Sequence, residues 1–191
     1  VLVPEVVDAA QQHGDVPVLA AGGIVTGRQM AACMAMGAAG AWTGSVWLTT
    51  AEAETSPVVK EKMLAATSRD TVRSKARTGK HSRQLRSAWT DAWESEEAPA
   101  PLPMPLQSIV TEPAMRKITK LAEGGHEGAK ELATYFVGQG VGLMNHAFFI
   151  QECINDGIEY ADFLRGNERY KYNLGGVDRT IYSMKAMRQG N

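Results

Sequence analysis

Residues 16–48, VPVLAAGGIVTGRQMAACMAMGAAGAWTGSVWL, carry a strand–helix–strand pattern. Val16 to Ala21 is a continuous apolar run bounded by turn residues, the pattern of a strand buried on both faces of a parallel sheet. Gly22, Gly23 and Ile24 follow at its carboxyl end. The next segment, 26–36, predicts a helix. Thr26 and Gln29 fit a capping box, in which each side chain satisfies a backbone N–H at the helix start. Gly37 stands where a left-handed residue closes a helix. Gly40 to Leu48 predicts a second apolar strand, broken by Gly44.

Before this stretch, residues 1–12 read as an amphipathic helix, with Val3, Val6, Val7 and Ala10 at helical spacing and His13-Gly14-Asp15 ending it. The order helix–strand–helix–strand with short loops predicts βαβ connectivity and a parallel sheet. On the other side, Ser56 and Pro57 open a helix running to about Ala66, because proline suits a first helical turn. The basic stretch 69–86 holds Arg69, Arg73, Lys75, Arg77, Lys80, Arg83 and Arg86 against Asp70. The four-residue spacing of Arg69, Arg73 and Arg77 predicts a solvated helix face. Trp89 and Trp93 would share a helix face. Four of the eight prolines, at 99, 101, 103 and 105, form an extended segment, either a strap over a surface or a linker. Helix returns over 112–135, interrupted at Gly124-Gly125, and is followed by the apolar, glycine-rich segment 136–146. Trp89, Trp93, Met30, Met34 and Met36 are expected to pack in the core, and Cys33 to be a small buried residue.

Composition bounds the function. The chain has 191 residues, 44% hydrophobic and 21% charged, with a formal net charge of -1. That excludes a disordered charged tail and argues against a nucleic-acid partner. No apolar run approaches the roughly 20 residues that span a bilayer, and residues 1–10 do not read as a signal peptide. Cys33 and Cys153 match neither a metal spacing nor a disulfide framework, and the four histidines form no ligand pair, so no metal site is expected and the setting is read as cytoplasmic. A complete (β/α)₈ barrel needs about 250 residues, so any barrel here is a part of one.

The candidate chemistry lies at the ends of the two strands. Glycines let a phosphate approach the backbone, whose N–H groups can point at it, and the following helix start adds partial positive charge. A Gly-Gly turn alone is weak, because it is also ordinary turn chemistry. Thr43-Gly44-Ser45 at the end of the next strand strengthens it: successive strands ending in glycine and hydroxyl residues match the shared phosphate site of barrel enzymes.

These residues, with ATSRDTVRSKARTGK, the Trp89/Trp93 region, PLPMPLQ and ELATYFVGQGVGLMN, resemble nitronate monooxygenase, the 2-nitropropane dioxygenase-like flavoenzymes, over about residues 1–146. The resemblance implies an α/β chain: a partial TIM barrel made of its last strands and helices, with mainly helical C-terminal decoration. It implies FMN as cofactor, and oxidation of alkyl nitronates with dioxygen. Carried over by position, the flavin phosphate would be held by Ala21, Gly22, Gly23, Gly44 and Ser45, with Gly138, Gln139 and Gly142 as weaker candidates. The family's catalytic histidine lies in a glycine-rich loop before these strands, where nothing here matches it, so no catalytic residue is assigned and an incomplete chain is expected. Glu123-Gly124-Gly125-His126 resembles that loop in composition but follows the phosphate strands, so His126 is expected to mark a surface helix break.

Residues 147–191 depart from the family. Gly157 to Gly175 is similar to a late segment of N-acetyltransferase-like proteins, through Asp162-Phe163-Leu164-Arg165-Gly166, Glu168 and Tyr170-Lys171-Tyr172, which suggests a tail of separate origin; an ordinary amphipathic tail is the alternative. The competing functional readings are a non-catalytic phosphate-binding or structural remnant and, last, acyl-CoA-dependent transfer through the tail. Open sheet edges predict that the isolated chain self-associates or is marginally stable.

Overall fold

The computed structural model describes residues 2–144, so the expectations for His146, Cys153 and the tail 147–191 lie outside the described residues. Helix α1 (Leu2–Gln11) leads through Gly14, at φ +107°, to strand β1 (Leu19–Ala21). Helix α2 (Gly27–Ala35) then connects β1 to strand β2 (Gly40–Trp42), and β1 and β2 pair in parallel with Ala20 opposite Ala41. The capping box forms as read: the Gln29 N–H donates to Thr26 Oγ1, and the Thr26 N–H donates to Gln29 Oε1. Gly37 adopts φ +95° against the Val7 side chain, which seats α1 on the end of α2.

The strands are shorter and less covered than expected. Val16 and Leu19 are exposed and only Ala20 is buried, because α1 and α2 cover one face of the two-stranded sheet and nothing described covers the other. A small core of Ala20, Ile24, Cys33 and Ala38 fills the covered side. Met30, Met34 and Met36 are exposed, not core residues as expected, because they lie on the uncovered side of α2. The second strand stops at Trp42; Ser45–Thr49 is a 3₁₀ segment, not its continuation. There the Trp47 N–H donates to the Gly44 carbonyl and Trp47 Nε1 donates to Thr43 Oγ1, local bonds that replace a ladder.

Helix α3 (Pro57–Ala65) begins at the predicted Ser-Pro. The basic stretch is not a helix. Strands β3 (Thr71–Ser74) and β4 (Ser82–Leu85) form an antiparallel hairpin, with Gln84 also bridging to Phe136. Arg77 is buried instead of facing solvent. Helix α4 (Ala88–Trp93) brings Trp89 and Trp93 together with ring centroids 6.0 Å apart and the rings tilted by 49°. The proline segment is a strap: Leu102 and Pro103 pass so close to the hairpin loop that a Cβ on Gly79 would collide with the Leu102 carbonyl. Helix α5 (Leu106–Glu123) starts earlier than expected and tolerates Pro113. Gly125, at φ +88°, separates it from helix α6 (Glu127–Leu132).

The larger core gathers Val59 and Met63 of α3, Leu85 of β4, Met115 and Ile118 of α5, and Val137, Val141 and Met144. Lys62 crosses to the end of α6, where its Nζ donates to the carbonyls of Lys130 at 2.8 Å and Ala133 at 2.7 Å. These are carbonyls a helix end leaves without partners, and burial there pushes the Lys62 pKa down. Among the described residues no helix is long and apolar enough to cross a membrane.

Candidate functional site

Three distant segments meet at the carboxyl end of β1. The first is the turn after Ala21, where Gly22 and Gly23 hold φ +103° and +70° with no atom within 4 Å of where a Cβ would stand. Only glycine adopts two such residues in succession without strain. The second is Gly44-Ser45, leading into the 3₁₀ segment after β2. The third is the glycine-rich run, which forms a second 3₁₀ segment, Gln139–Leu143.

Backbone closeness holds them together. The Gly138 N–H donates to Ser45 Oγ at 2.8 Å. A Cβ on Gly140 would stand 3.0 Å from the Gly23 carbonyl oxygen and 2.8 Å from Val25 Cγ1, and one on Gly142 would stand 2.6 Å from the Ser68 nitrogen. Glycine is required at both places because backbone packs on backbone. Between the segments lies a cleft of about 420 Å³, bordered by Gly23, Gln29, Thr67 and Ser68 on one side and Gln139, Gly140, Gly142 and Leu143 on the other.

Of the residues singled out in the sequence, Gly23, Ser45 and Gly138 are brought into contact, and Gln139 and Gly142 border the adjoining cleft. Ala21, Gly22 and Gly44 are exposed beside them in the chain. Gln29, Thr67, Ser68, Gly140 and Leu143 were not anticipated. The signal for the 67–68 loop was Gly142, whose missing side chain makes room for it.

The cleft carries no charge, and more of its lining is apolar than polar. No titratable side chain borders it among the described residues. Thr67 is fixed by Asp70, whose Oδ2 accepts from the Thr67 N–H and from its hydroxyl, each at 2.7 Å. Those bonds, the backbone one first, hold the Asp70 pKa below the ordinary carboxylate value, and the Arg86 charge adds to the effect. The N–H groups of Gly23 and Gly44 make no hydrogen bond among the described residues, and the Ser45 hydroxyl, which accepts from Gly138, donates to none of them. Three donors therefore stand available beside the Gly-Gly turn, an arrangement suited to an anion with several oxygens.

His126 does other work. Its Nδ1 accepts from the Ala129 N–H at 3.3 Å and so caps α6. A nitrogen engaged in that way is a helix cap, in keeping with the helix break read from the sequence. No group of three or more His, Cys, Asp or Glu that could hold a metal ion occurs among the described residues.

Comparison with known proteins gives a consistent picture. The sequence profile of the nitronate monooxygenase family matches residues 1–159. A Mycobacterium tuberculosis protein named as a monooxygenase is 57% identical over 160 residues, covering 83% of this chain and 42% of that protein. A Bacillus subtilis protein named as a nitronate monooxygenase is 31% identical, over 81% of this chain and 41% of its own length. The chain thus spans about two fifths of the length of these curated relatives. Among solved structures, FabK from Thermotoga maritima superposes with a TM-score of 0.59 at 32% identity, over 82% of this chain and 46% of that one. Nitroalkane oxidase from Streptomyces ansochromogenes superposes with a TM-score of 0.62 at 25% identity, over 80% of this chain and 41% of that one.

Proposed function

The chain belongs to the nitronate monooxygenase family, and we propose that its described residues are the phosphate-holding part of an FMN-dependent enzyme that oxidises alkyl nitronates with dioxygen. In this reading β1 and β2 are late strands of a partial (β/α) barrel, and their carboxyl ends face the cofactor. The observation that carries the reading is the convergence of Gly23, Ser45 and Gly138, held by the Ser45–Gly138 hydrogen bond, beside donors with no protein partner among the described residues.

FMN fits the residues present. Its terminal phosphate needs several N–H or O–H donors and close backbone approach. Gly22 and Gly23 leave the space, the N–H groups of Gly23 and Gly44 and the Ser45 hydroxyl supply the donors, and Ala21 ends the strand that aims them. Gly138, Gln139 and Gly142 would form the facing wall. The bound flavin would supply the redox chemistry with dioxygen. What this chain's residues would contribute is binding and orientation: the Gly-Gly turn would hold the phosphate, and the Ser45–Gly138 hydrogen bond keeps the two 3₁₀ segments beside it. Proton removal from a nitronate's parent carbon acid is assigned to none of them, because no titratable group borders the cleft among the described residues.

That last observation favours one second reading, a chain that binds a flavin phosphate without turnover. Both readings place the protein in the cytoplasm, on its cysteine usage. With Leu19 and Trp42 exposed on the uncovered sheet face, both also include self-association through β1 and β2. With the family match reaching residue 159, a separate origin is proposed only for the residues beyond it.

The test is an FMN titration of the full chain, read by flavin fluorescence, beside the double variant Gly22→Val/Gly23→Val. Saturable binding that the folded double variant loses supports the phosphate site. Absence of binding by folded wild type overturns it for this chain. Nitronate-dependent oxygen uptake then separates the enzyme from the non-turnover reading.

A further inference from the structure

Gln29 makes more bonds than a helix cap requires. Its Oε1 accepts from the N–H groups of Val25 at 2.9 Å and Thr26 at 3.0 Å, and its Nε2 donates to the Gly23 carbonyl at 2.9 Å. A capping box needs only the bond returned to the Thr26 N–H. The bond to Gly23 reaches beyond the helix into the glycine turn. That turn has reason to be held: Gly22 and Gly23 are conformationally permissive, and nothing packs where their side chains would be.

We infer that Gln29 is a positioning residue that sets the donor groups of the Gly22–Gly23 turn for a phosphoryl group, an inference that rests on the phosphate reading above. The physical link is the planar peptide unit. The Gly23 carbonyl and the Ile24 N–H belong to one trans peptide and point in opposite directions. Pinning the carbonyl to Gln29 therefore turns the Ile24 N–H to the other side. Ile24 is buried, and its N–H has no partner among the described residues. A donor in that position calls for an acceptor. The same pin restrains the adjoining Gly22–Gly23 peptide, whose N–H is also unpartnered.

Helix capping and turn positioning separate cleanly by mutation. Thr26→Ala removes the side-chain half of the cap but leaves all three Gln29 bonds to backbone. Gln29→Ala removes both. The full chain in its wild-type, Thr26→Ala and Gln29→Ala forms is titrated with FMN and with riboflavin, which lacks the phosphate. Backbone ¹⁵N relaxation at Gly22, Gly23 and Ile24 is measured alongside. Gln29→Ala is expected to weaken FMN about tenfold with riboflavin unchanged, and to lower the order parameters of the three turn residues. Thr26→Ala is expected to lower the melting temperature while preserving the FMN-to-riboflavin ratio. An unchanged ratio in Gln29→Ala, or an equal fall in Thr26→Ala, overturns the inference. If folded wild type binds no FMN, the phosphate reading falls, and relaxation alone judges the clamp: turn residues as rigid in Gln29→Ala as in wild type would overturn that as well.

Discussion

The backbone N–H of Gly138 donates to the hydroxyl of Ser45 at 2.8 Å, across 93 positions of sequence. The bond joins the end of the β1–α2–β2 unit to the glycine-rich segment that closes the described chain. It also leaves the Ser45 hydrogen free to serve an external acceptor. One side chain thus has a structural role and, in the proposed reading, a binding one as well.

Replacing Ser45 with Ala should therefore act twice. The half-buried Gly138 N–H loses its acceptor, which costs about 1 kcal/mol of unfolding free energy. FMN affinity should fall as well, since one donor is gone. Urea denaturation and FMN titration of the same variant check the two effects. A variant as stable as wild type would mean that the Ser45–Gly138 bond contributes nothing to holding the segments together.

Two glycine-to-alanine changes should differ in sign. A Cβ on Gly142 would stand 2.6 Å from the Ser68 nitrogen, a backbone atom that cannot swing aside. Gly142→Ala should cost about 1–3 kcal/mol and move the 67–68 loop. Gly27 lies in the first turn of α2, with nothing within 4 Å of a Cβ. Gly27→Ala should be neutral or stabilising by about 0.5 kcal/mol, through the unfolded chain. Thermal melts of the two variants test the ranking.

The Arg77–Glu112 pair is asymmetric. The two approach to 2.7 Å, but the Arg77 side chain is only 7% exposed and that of Glu112 45%. The guanidinium also lies over Phe136, 4.6 Å from the ring centroid. Glu112→Ala strands a buried cation and should cost about 3 kcal/mol. Arg77→Met leaves a carboxylate that water can reach and should cost less, about 1 kcal/mol. Chemical denaturation of both variants decides, and the reverse order would mean that stacking on the aromatic rings outweighs the charge.

Asp70 should impose a pH dependence. Hydrogen bonds from Thr67 hold its folded pKa below the unfolded value of 3.8. A carboxyl of this kind contributes stability that is full above the unfolded pKa and is lost as pH falls through the folded one. Wild type should accordingly lose stability below pH 3.8, and Asp70→Asn should flatten that part of the curve. Urea unfolding over a pH series from about 5 to about 2 provides the measurement; parallel curves for the two proteins would refute the assignment.

Features settled among near neighbours were legible in the sequence. The Thr26–Gln29 cap, the stop at Gly37, the Ser56-Pro57 helix start and the Trp89/Trp93 pair are each satisfied by residues within a few positions, so pattern alone could find them. The parallel pairing of β1 and β2 followed from the strand–helix–strand order, since a short right-handed crossover leaves little choice.

The remaining features depend on contacts between residues far apart in the chain. The arginines at four-residue spacing imitated a helix, but TVRS and SRQL pair as strands; Gln84 is buried and bridges to Phe136, and Leu85 joins the core. Charge spacing says nothing about which partner covers a segment. Exposure of Val16, Leu19 and the α2 methionines was likewise invisible, because an apolar run reads the same whether one face of a sheet is covered or both. The cleft shows the limit most clearly. Glycines were marked at Gly23, Gly138 and Gly142, but which backbone each would touch was not. A missing side chain advertises that something approaches; only the folded chain specifies that at Gly140 it is Gly23 and at Gly142 it is Ser68.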